Sequence, residues 1–157
     1  MGASNDGDGA EVGEQPPDRG GLLDALAQVA FTTMGVLSRV AGERDLSLTQ
    51  LRVLAILRDR RVTMSALAEH LGLEKSTMSG LVQRAEGRLL VQRDRSVTDG
   101  RAVEVFLTER GSALADQISR DVERLLMPWT MTLEARDRAR LQHLLMQLIA
   151  NQETGEP

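Results

Sequence analysis

The sequence predicts a mainly α-helical protein, with about six helices and one small β-element of two or three strands. Apolar residues recur at steps of three and four over most of the chain, which is the spacing that gives a helix one apolar face. Residues suited to capping helices precede several of these segments. Between residues 90 and 106 the pattern changes to two short segments around a polar loop with a glycine, as in a β-hairpin.

Length and composition limit the class of protein. The chain has 157 residues, which suits one compact domain. It contains no cysteine, which excludes disulfides, thiolate metal sites and thiol nucleophiles. His70 and His143 lie in different predicted helices, without carboxylates at ligand spacing, so we expect no metal and no cofactor. No apolar stretch approaches the roughly 20 residues of a membrane span and no leader is evident, so we expect a cytoplasmic protein without a membrane partner.

Charge is distributed unevenly along the chain. The formal net charge is -4, but residues 1–24 alone carry six acidic residues and one arginine. Residues 50–110 carry eleven lysines and arginines against eight acidic residues and are the positive part of the chain. Salt screens exposed charges beyond about 8 Å, so local charge governs the attraction to a phosphate backbone. The middle of the chain is therefore the candidate nucleic-acid-binding region.

The helices follow from the apolar spacing and from residues suited to their ends. Gly72 suits a left-handed C-cap, Gln50 completes a capping box, and Pro128 is expected to bend or interrupt its helix. The expected N-caps are Ser47, Thr63, Thr108 and Thr132. The segments cover about residues 22–40, 47–60, 63–71, 74–88, 108–129 and 132–150.

The fourth helical segment has two distinct faces. Its apolar residues stand at i, i+3, i+4 and i+7 and are expected to pack inward: Met78, Leu81, Val82 and Ala85. The opposite face is polar and begins with small hydrogen-bond donors, so it fits a major groove about 12 Å wide. The side chains expected to contact phosphates or base edges are Lys75, Ser76, Thr77, Ser79, Gln83 and Arg84.

Arginines concentrate on the predicted hairpin. Residues 90–93 can pair with residues 103–106 across the polar loop. Arg93, Arg95 and Arg101 lie on or near its tip, where they can follow a DNA backbone or enter a narrow minor groove. Asp99 is placed to pair with an arginine and hold its orientation. The helix and the hairpin together predict an interface for duplex DNA.

An ordered set of short motifs resembles the multiple-antibiotic-resistance regulator (MarR) family. The set covers roughly the middle third of the chain, and its most telling part is the Asp-x-Arg of the hairpin ahead of Leu-Thr-x-x-Gly. The motifs are LAEHLG at 67–72, KSTMS at 75–79, LVQR at 81–84 and again at 90–93, DGR at 99–101 and LTERG at 107–111.

The resemblance implies a winged helix-turn-helix with a helical dimerisation region built from both ends of the chain. The fourth helix would be the recognition helix, the hairpin would be the wing, and Arg101 would be the wing-tip arginine. The expected single domain spans 21–150, with the DNA-binding lobe at 47–110 and dimerisation helices at 22–43 and 112–150. The flanking segments 1–20 and 151–157 are expected to be a disordered acidic tail and a frayed end.

The resemblance also implies a function. It is that of a sequence-specific regulator of transcription, expected to be a repressor, which binds a pseudo-palindromic operator in double-stranded DNA as a homodimer. The family resemblance further implies release by a small aromatic or phenolic effector. The sequence leaves the effector-binding residues unknown; the side chains considered are Trp129, Met34, His143 and Arg52, although a Trp or Met at helical spacing is more often part of a core.

Two positions depart from the family pattern. Leu89 stands where the family usually has a glycine at the end of the recognition helix, and Gly87 lies two positions earlier, which leaves the shape of the helix end open. Gly80 occupies a position where a larger polar residue is common, and it keeps the polar face flat.

Two other classes of function are weighed against DNA binding. A winged helix can instead serve as a module that binds another protein. An enzyme is disfavoured, because Lys75, Ser76 and Thr77 lack the upstream glycines of a phosphate-binding loop and no nucleophile with a base is visible. We therefore expect no enzymatic activity, and a steep loss of binding with salt is what would separate DNA from a protein partner.

Overall fold

The computed structural model describes residues 19–96 and 101–153, which form six helices and three strands. The mainly α-helical class with a small β-element, as predicted from the sequence, is confirmed. The elements are α1 (Arg19–Gly42), α2 (Leu48–Leu57), β1 (Val62–Thr63), α3 (Met64–Leu71), α4 (Lys75–Gly87), β2 (Val91–Arg95), β3 (Val103–Leu107), α5 (Glu109–Thr130) and α6 (Ala135–Glu153).

The two ends of the chain lie largely outside the described residues. Of the acidic tail expected at 1–20, only Arg19 and Gly20 are described, and they begin α1. Of the frayed end expected at 151–157, residues 154–157 lie outside the described residues, whereas Asn151 belongs to α6.

Two compact units divide the chain after Thr32. The described part of the first unit is the beginning of α1, whose residues 20–32 are all exposed. Residues 33–157 form the second unit. Among the described helices, α1 is the one that is long and apolar enough to cross a membrane, by length and composition alone. The exposed apolar residues at the start of α1, among them Leu22, Leu23 and Phe31, form a surface of the kind that marks an interaction site.

Caps predicted from the sequence set the starts of three helices. Ser47 and Gln50 make both hydrogen bonds of a capping box at α2. The hydroxyls of Thr63 and Thr108 accept backbone N–H groups at the starts of α3 and α5. Gly72 ends α3 with a φ of 64°, as expected for a left-handed C-cap.

The predictions about the last two helices have different outcomes. Pro128 lies inside α5, which continues past it to Thr130, so the interruption does not occur, while the bend stays a prediction. The predicted cap of α6 is wrong. Thr132 does not cap α6, which begins at Ala135. Its hydroxyl instead donates to the carbonyl oxygen of Trp129 at 2.6 Å, so it serves the end of the preceding helix.

The β-element is a three-stranded antiparallel sheet in the order β1-β3-β2. In the hairpin, Val91 pairs with Leu107 and Arg95 with Val103, so the register differs by two residues from the predicted pairing of 90–93 with 103–106. The strand β2 extends to Arg95, whereas β3 begins at Val103 as predicted. The short strand β1 adds a third strand through the pair of Val62 and Val105. The predicted hairpin is confirmed, with its tip at residues 97–100 outside the described residues.

The core lies where α2, α3 and α4 meet the sheet. Leu67, Met78 and Val82 are fully buried there. Burying each such side chain contributes about 1.5–3 kcal/mol of hydrophobic free energy. The end of α1 and the start of α5 close the core with Val40, Ala41, Ala115 and Ile118.

The start of α5 is fitted closely to the end of the helix-turn-helix. The Thr108 hydroxyl donates to the carbonyl oxygen of Leu89 at 2.6 Å, and the Thr108 N–H donates to that of Leu90 at 3.1 Å. A Cβ at Gly111 would lie 1.9 Å from the Leu90 oxygen, far inside van der Waals contact. Glycine is therefore required at residue 111, which explains the Leu-Thr-x-x-Gly segment.

The helix α6 leaves its apolar residues uncovered. Among its described side chains up to Asn151, all are exposed except that of Arg138, which is half-buried. The exposed apolar side chains are Leu141, Leu144, Leu145, Met146, Leu148 and Ile149. A surface of this extent is unusual for a soluble monomer and marks an interaction site.

Candidate nucleic-acid interface

The helix α4 separates its apolar and polar residues completely. Its buried residues are the four predicted from the spacing: Met78, Leu81, Val82 and Ala85. The six residues predicted to contact DNA are all exposed: Lys75, Ser76, Thr77, Ser79, Gln83 and Arg84. The structure therefore brings these six side chains together on one open face, while the opposite face is anchored in the core.

Gly80 lies in the middle of this polar face. A Cβ added at Gly80 would lie 3.6 Å from Nη1 of Arg84, so the guanidinium of Arg84 lies beside the glycine one turn earlier. The small residue thus leaves the arginine side chain room to lie along the face.

The end of α4 keeps the geometry that a glycine would adopt, although Leu89 stands there. Leu89 has a φ of 58°, in the left-handed region, and is 63% exposed. Its N–H donates to the Glu86 carbonyl at 2.8 Å, and the Leu90 N–H donates to that of Ala85 at 2.9 Å. This pair of bonds is a Schellman motif, so the departure from the family pattern changes the residue but not the turn.

The three arginines of the wing, Arg93, Arg95 and Arg101, are exposed. The guanidinium of Arg93 also lies 2.5 Å from a carboxylate oxygen of Glu86, on α4. Arg93 therefore links the wing to the recognition helix, in addition to any contact with DNA. Asp99, predicted to orient an arginine, lies outside the described residues.

The base of the wing is pinned by a polar contact. Ser96, which is buried, donates its hydroxyl to a carboxylate oxygen of Glu104 at 2.7 Å. The Ser96 N–H also donates to the Ala102 carbonyl at 2.9 Å, which holds the two strands together up to the loop.

Sequence reasoning missed other cations near the helix-turn-helix. The Arg61 guanidinium, directly before β1, lies 3.8 Å from the centre of the Phe106 ring on β3 in a cation–π contact. Arg88, just after α4, donates to two backbone carbonyls in the turn between α1 and α2. No periodicity marks either residue, because their partners are more than forty positions away in the sequence.

Two observations concern the titratable side chains in the part of the chain that the structure describes. No group of three His, Asp or Glu side chains is close enough to hold a metal ion there. The lowered pKa of Asp121 comes from the side-chain hydrogen bond of Arg124, followed by the hydrogen bond and charge of Arg44.

Comparison with known proteins places this site in a family. A sequence profile of the MarR family matches residues 44–102. The transcriptional repressor NicR of Pseudomonas putida, of the helix-turn-helix type, is 31% identical over 124 residues, which cover 76% of this chain and 77% of NicR. This chain belongs to the MarR family. It is therefore a transcription regulator by family, which is not a class of enzyme.

Solved MarR-family structures share the fold. A mutant of Escherichia coli MarR in complex with operator DNA is 25% identical, with a TM-score of 0.64 over 82% of this chain and 93% of that one. NadR in complex with 4-hydroxyphenylacetate is 22% identical and shows likeness of fold alone, with a TM-score of 0.69 over 81% of this chain and 91% of that one. The winged helix-turn-helix interpretation of α3, α4 and the hairpin is confirmed.

Proposed function

We propose that this MarR-family regulator binds a pseudo-palindromic operator in duplex DNA as a homodimer and represses transcription from it. The observation that carries the proposal is the α4 face: six polar side chains are exposed together, and the four apolar residues behind them are buried. A helix held in this way presents donors to base edges and phosphates without any rearrangement of the core.

The wing supplies the second contact of the proposed interface. Arg95 and Arg101 are exposed at the end of the hairpin, where guanidinium groups can reach the backbone or the minor groove beside the recognition helix. Arg93 contributes mainly by holding the wing against Glu86 of α4. In this proposal, therefore, Arg101 supports affinity for most sequences, whereas Ser79 and Gln83 select among them.

A second copy of the chain is the proposed cover for the exposed apolar residues. The exposed apolar surface includes α6, which is not apolar enough to cross a membrane, so a membrane would leave part of it unexplained. Two copies related by a twofold axis present two recognition helices about 34–36 Å apart, one turn of DNA. A second copy of the chain, in a cytoplasmic homodimer, would therefore cover the exposed apolar residues of both α1 and α6.

A small organic acid is the proposed effector. A cavity of about 140 Å³ lies between the second half of α1, α2 and α5, with walls that include Leu37, Leu51 and Ile118. An apolar cavity of about 150 Å³ holds benzene, so this volume fits the ring of an aromatic acid but not the whole molecule. Arg58 lines the cavity, donates to the Ser119 hydroxyl at 2.8 Å and pairs with the adjacent Asp59 carboxylate at 3.3 Å. In this proposal the carboxylate of the effector competes with Asp59 for the Arg58 guanidinium.

The effector proposal differs from the side chains considered on sequence grounds. None of Trp129, Met34, His143 and Arg52 lines this cavity. The complex of NadR with 4-hydroxyphenylacetate supports one part of the proposal, namely that a protein of this fold can bind a phenolic acid. Titration with 4-hydroxyphenylacetate should release the operator from the unchanged protein and not from Arg58→Met, whereas equal release from both would place the effector elsewhere.

Selection of bound sequences from a random duplex pool tests the DNA-binding proposal. We expect a palindromic sequence with half-sites one helical turn apart. Affinity for the selected duplex should fall by about 10³-fold or more between 50 and 200 mM salt if at least six phosphates are contacted. Arg101→Ala should weaken all duplexes, while the matched removal of an exposed arginine on α5, Arg120→Ala, should not. Failure to enrich any sequence would leave the protein-binding module as the better interpretation.

A further inference from the structure

A set of hydrogen bonds joins the end of α4 to the turn between α1 and α2. Arg88 is the residue directly after the last turn of α4. Its Nη1 donates to the Asp45 carbonyl oxygen at 2.6 Å, and its Nη2 donates to the Arg44 carbonyl oxygen at 2.9 Å. One guanidinium therefore holds two successive carbonyls, and its planar fork fixes their direction.

The same turn is joined to α5. The side chain of Arg44 donates to the Val40 carbonyl at 3.0 Å and forms a hydrogen-bonded ion pair with the Asp121 carboxylate on α5. Both side chains of the ion pair are half-buried, with exposed fractions of 18% and 27%. A pair shielded in this way is weakened less by salt than one on the open surface.

The turn between these two contacts has a fixed backbone. Asp45 has a φ of 52°, in the left-handed region, and its N–H donates to the Gly42 carbonyl at 3.1 Å. The Leu46 N–H returns to the Ala41 carbonyl at 3.0 Å. Since these bonds hold the turn in one shape, the two carbonyls that face Arg88 are fixed relative to the Arg44 side chain that faces α5.

We propose that Arg88, Arg44 and Asp121 form a strut that sets the position of the recognition helix α4 relative to α5. They are positioning residues: they act through α4 and not by contact with bases. This inference rests on the proposed function, since a strut of this kind fixes the spacing of two recognition helices when α5 helps to hold two chains together. It assigns the selectivity for half-site spacing to residues outside the polar face of α4.

A distance measurement within one chain tests the strut without DNA. The chain has no cysteine, so Gln83→Cys on α4 and Gln117→Cys on α5 give two exposed labelling sites in an otherwise unlabelled protein. The doubly labelled chain is diluted with unlabelled wild-type protein, so that pairs within one chain dominate the spin–spin distance distribution.

We expect Arg88→Met and Asp121→Asn to shift or broaden this distribution by about 1–2 Å, the size of helix shifts at interfaces. Arg88→Lys, which keeps the charge but not the planar fork, gives the same expected change and guards against a folding defect in Arg88→Met. The matched control is Arg124→Met, because Arg124 binds the same carboxylate at 2.8 Å but within α5. Unchanged distributions in Asp121→Asn and both Arg88 variants would overturn the strut, and so would an equal change in Arg124→Met.

Operator binding supplies the functional readout. In a series of duplexes whose half-site spacing differs by single base pairs, Asp121→Asn should lose about tenfold in affinity for the preferred spacing, within the usual range of coupling between sites. The same variant should lose less affinity for duplexes whose half-site spacing is one base pair shorter or longer. Removing a negative charge would by itself strengthen DNA binding, so such a loss cannot be a charge effect. An equal loss at every spacing would overturn the inference. If the wild-type protein selects no duplex, the proposed function fails, whereas the distance measurement still decides on the strut.

Discussion

The DNA-binding lobe and the last helix use apolar residues in opposite ways. In the lobe, from α2 to β3, residues such as Leu67, Met78 and Val105 are fully buried within the chain. In α6, Leu144 is 46% exposed and Leu148 52% exposed, although they show the same helical spacing. Periodicity therefore identifies an apolar face in both regions, but it does not say whether the cover comes from the same chain.

This difference separates two kinds of stability. The lobe gains its hydrophobic free energy by folding, so its contribution is independent of protein concentration. The apolar face of α6 gains free energy only when another surface covers it, so its contribution depends on concentration and affinity. A substitution in the lobe should therefore lower stability equally at every protein concentration, whereas the effect of a substitution in α6 should depend on protein concentration.

The largest expected effect is on α6. Leu144→Asp together with Leu148→Asp places two charges on its apolar face and should leave a folded monomer. Operator affinity should fall by about 100-fold or more, because the two half-sites are then bound without linkage. Light scattering and operator titration measure both results. The matched control is Gln147→Asp, on the polar side of the same helix, which should keep the proposed dimer.

The corresponding change in the lobe should behave differently. Leu67→Ala should lower the free energy of unfolding by about 2–5 kcal/mol, through lost burial and the cavity left behind. The loss should be the same at every protein concentration in urea unfolding. A loss in Leu67→Ala that depended on concentration, or a dimeric α6 variant, would remove the distinction between the regions.

The junction of the two regions should be nearly as sensitive. Gly111→Ala forces a methyl group against the Leu90 carbonyl oxygen and should cost about 3 kcal/mol in unfolding free energy. Gly87→Ala, in a helix and with nothing within 4 Å of the added methyl, is the control and should be neutral or stabilising. Equal effects of the two changes in urea unfolding would contradict the close approach of α5 to Leu90.

A smaller, favourable effect is expected at the end of α4. Leu89→Gly removes the strain of a left-handed leucine and should stabilise the lobe by about 1 kcal/mol. Asp45→Gly, at a residue of similar φ, should gain less, because aspartate adopts this conformation more readily. Thermal unfolding at a fixed protein concentration measures the stability of both variants. If Leu89→Gly were destabilised, the exposed leucine side chain would have to be covered by a partner in solution.

The smallest effect concerns pH. Hydrogen bonds from Arg124 and Arg44 lower the pKa of Asp121, so its contribution to stability is fully present above the usual aspartate pKa of about 3.9. That contribution is lost as pH falls through the lower folded value. The difference in unfolding free energy between wild type and Asp121→Asn should therefore be constant at neutral pH and shrink only in acid. A difference that shrank already near neutral pH would mean a raised pKa.

The sequence predicted what depends on local pattern. The two faces of α4 follow from a 3.6-residue period, and the caps at Ser47 and Thr63 follow from residue chemistry at helix starts. The fold class and the hairpin followed in the same way. The roles of the individual DNA-facing side chains stay predictions, since exposure places them on an open face without a bound duplex.

What the sequence did not predict depends on contacts between distant segments. Nothing near Arg88 marks the turn at Asp45 as its partner, and nothing near Arg93 marks Glu86, which lies on a different element. The failed prediction for Thr132 has a local origin: a threonine between two helices can serve either end, and here its hydroxyl donates to Trp129, three residues earlier.

The length of α5 adds a mechanical consequence to the fit at Gly111. This helix starts against the Leu90 carbonyl and runs unbroken for 22 residues, past Pro128, to Thr130. At 1.5 Å per residue it is a rod about 33 Å long, so a tilt of about 5° at its start displaces its far end by about 3 Å. A motion too small to disturb the packing beside the recognition helix is thus magnified, by leverage alone, into a displacement as large as an atomic diameter at the opposite end.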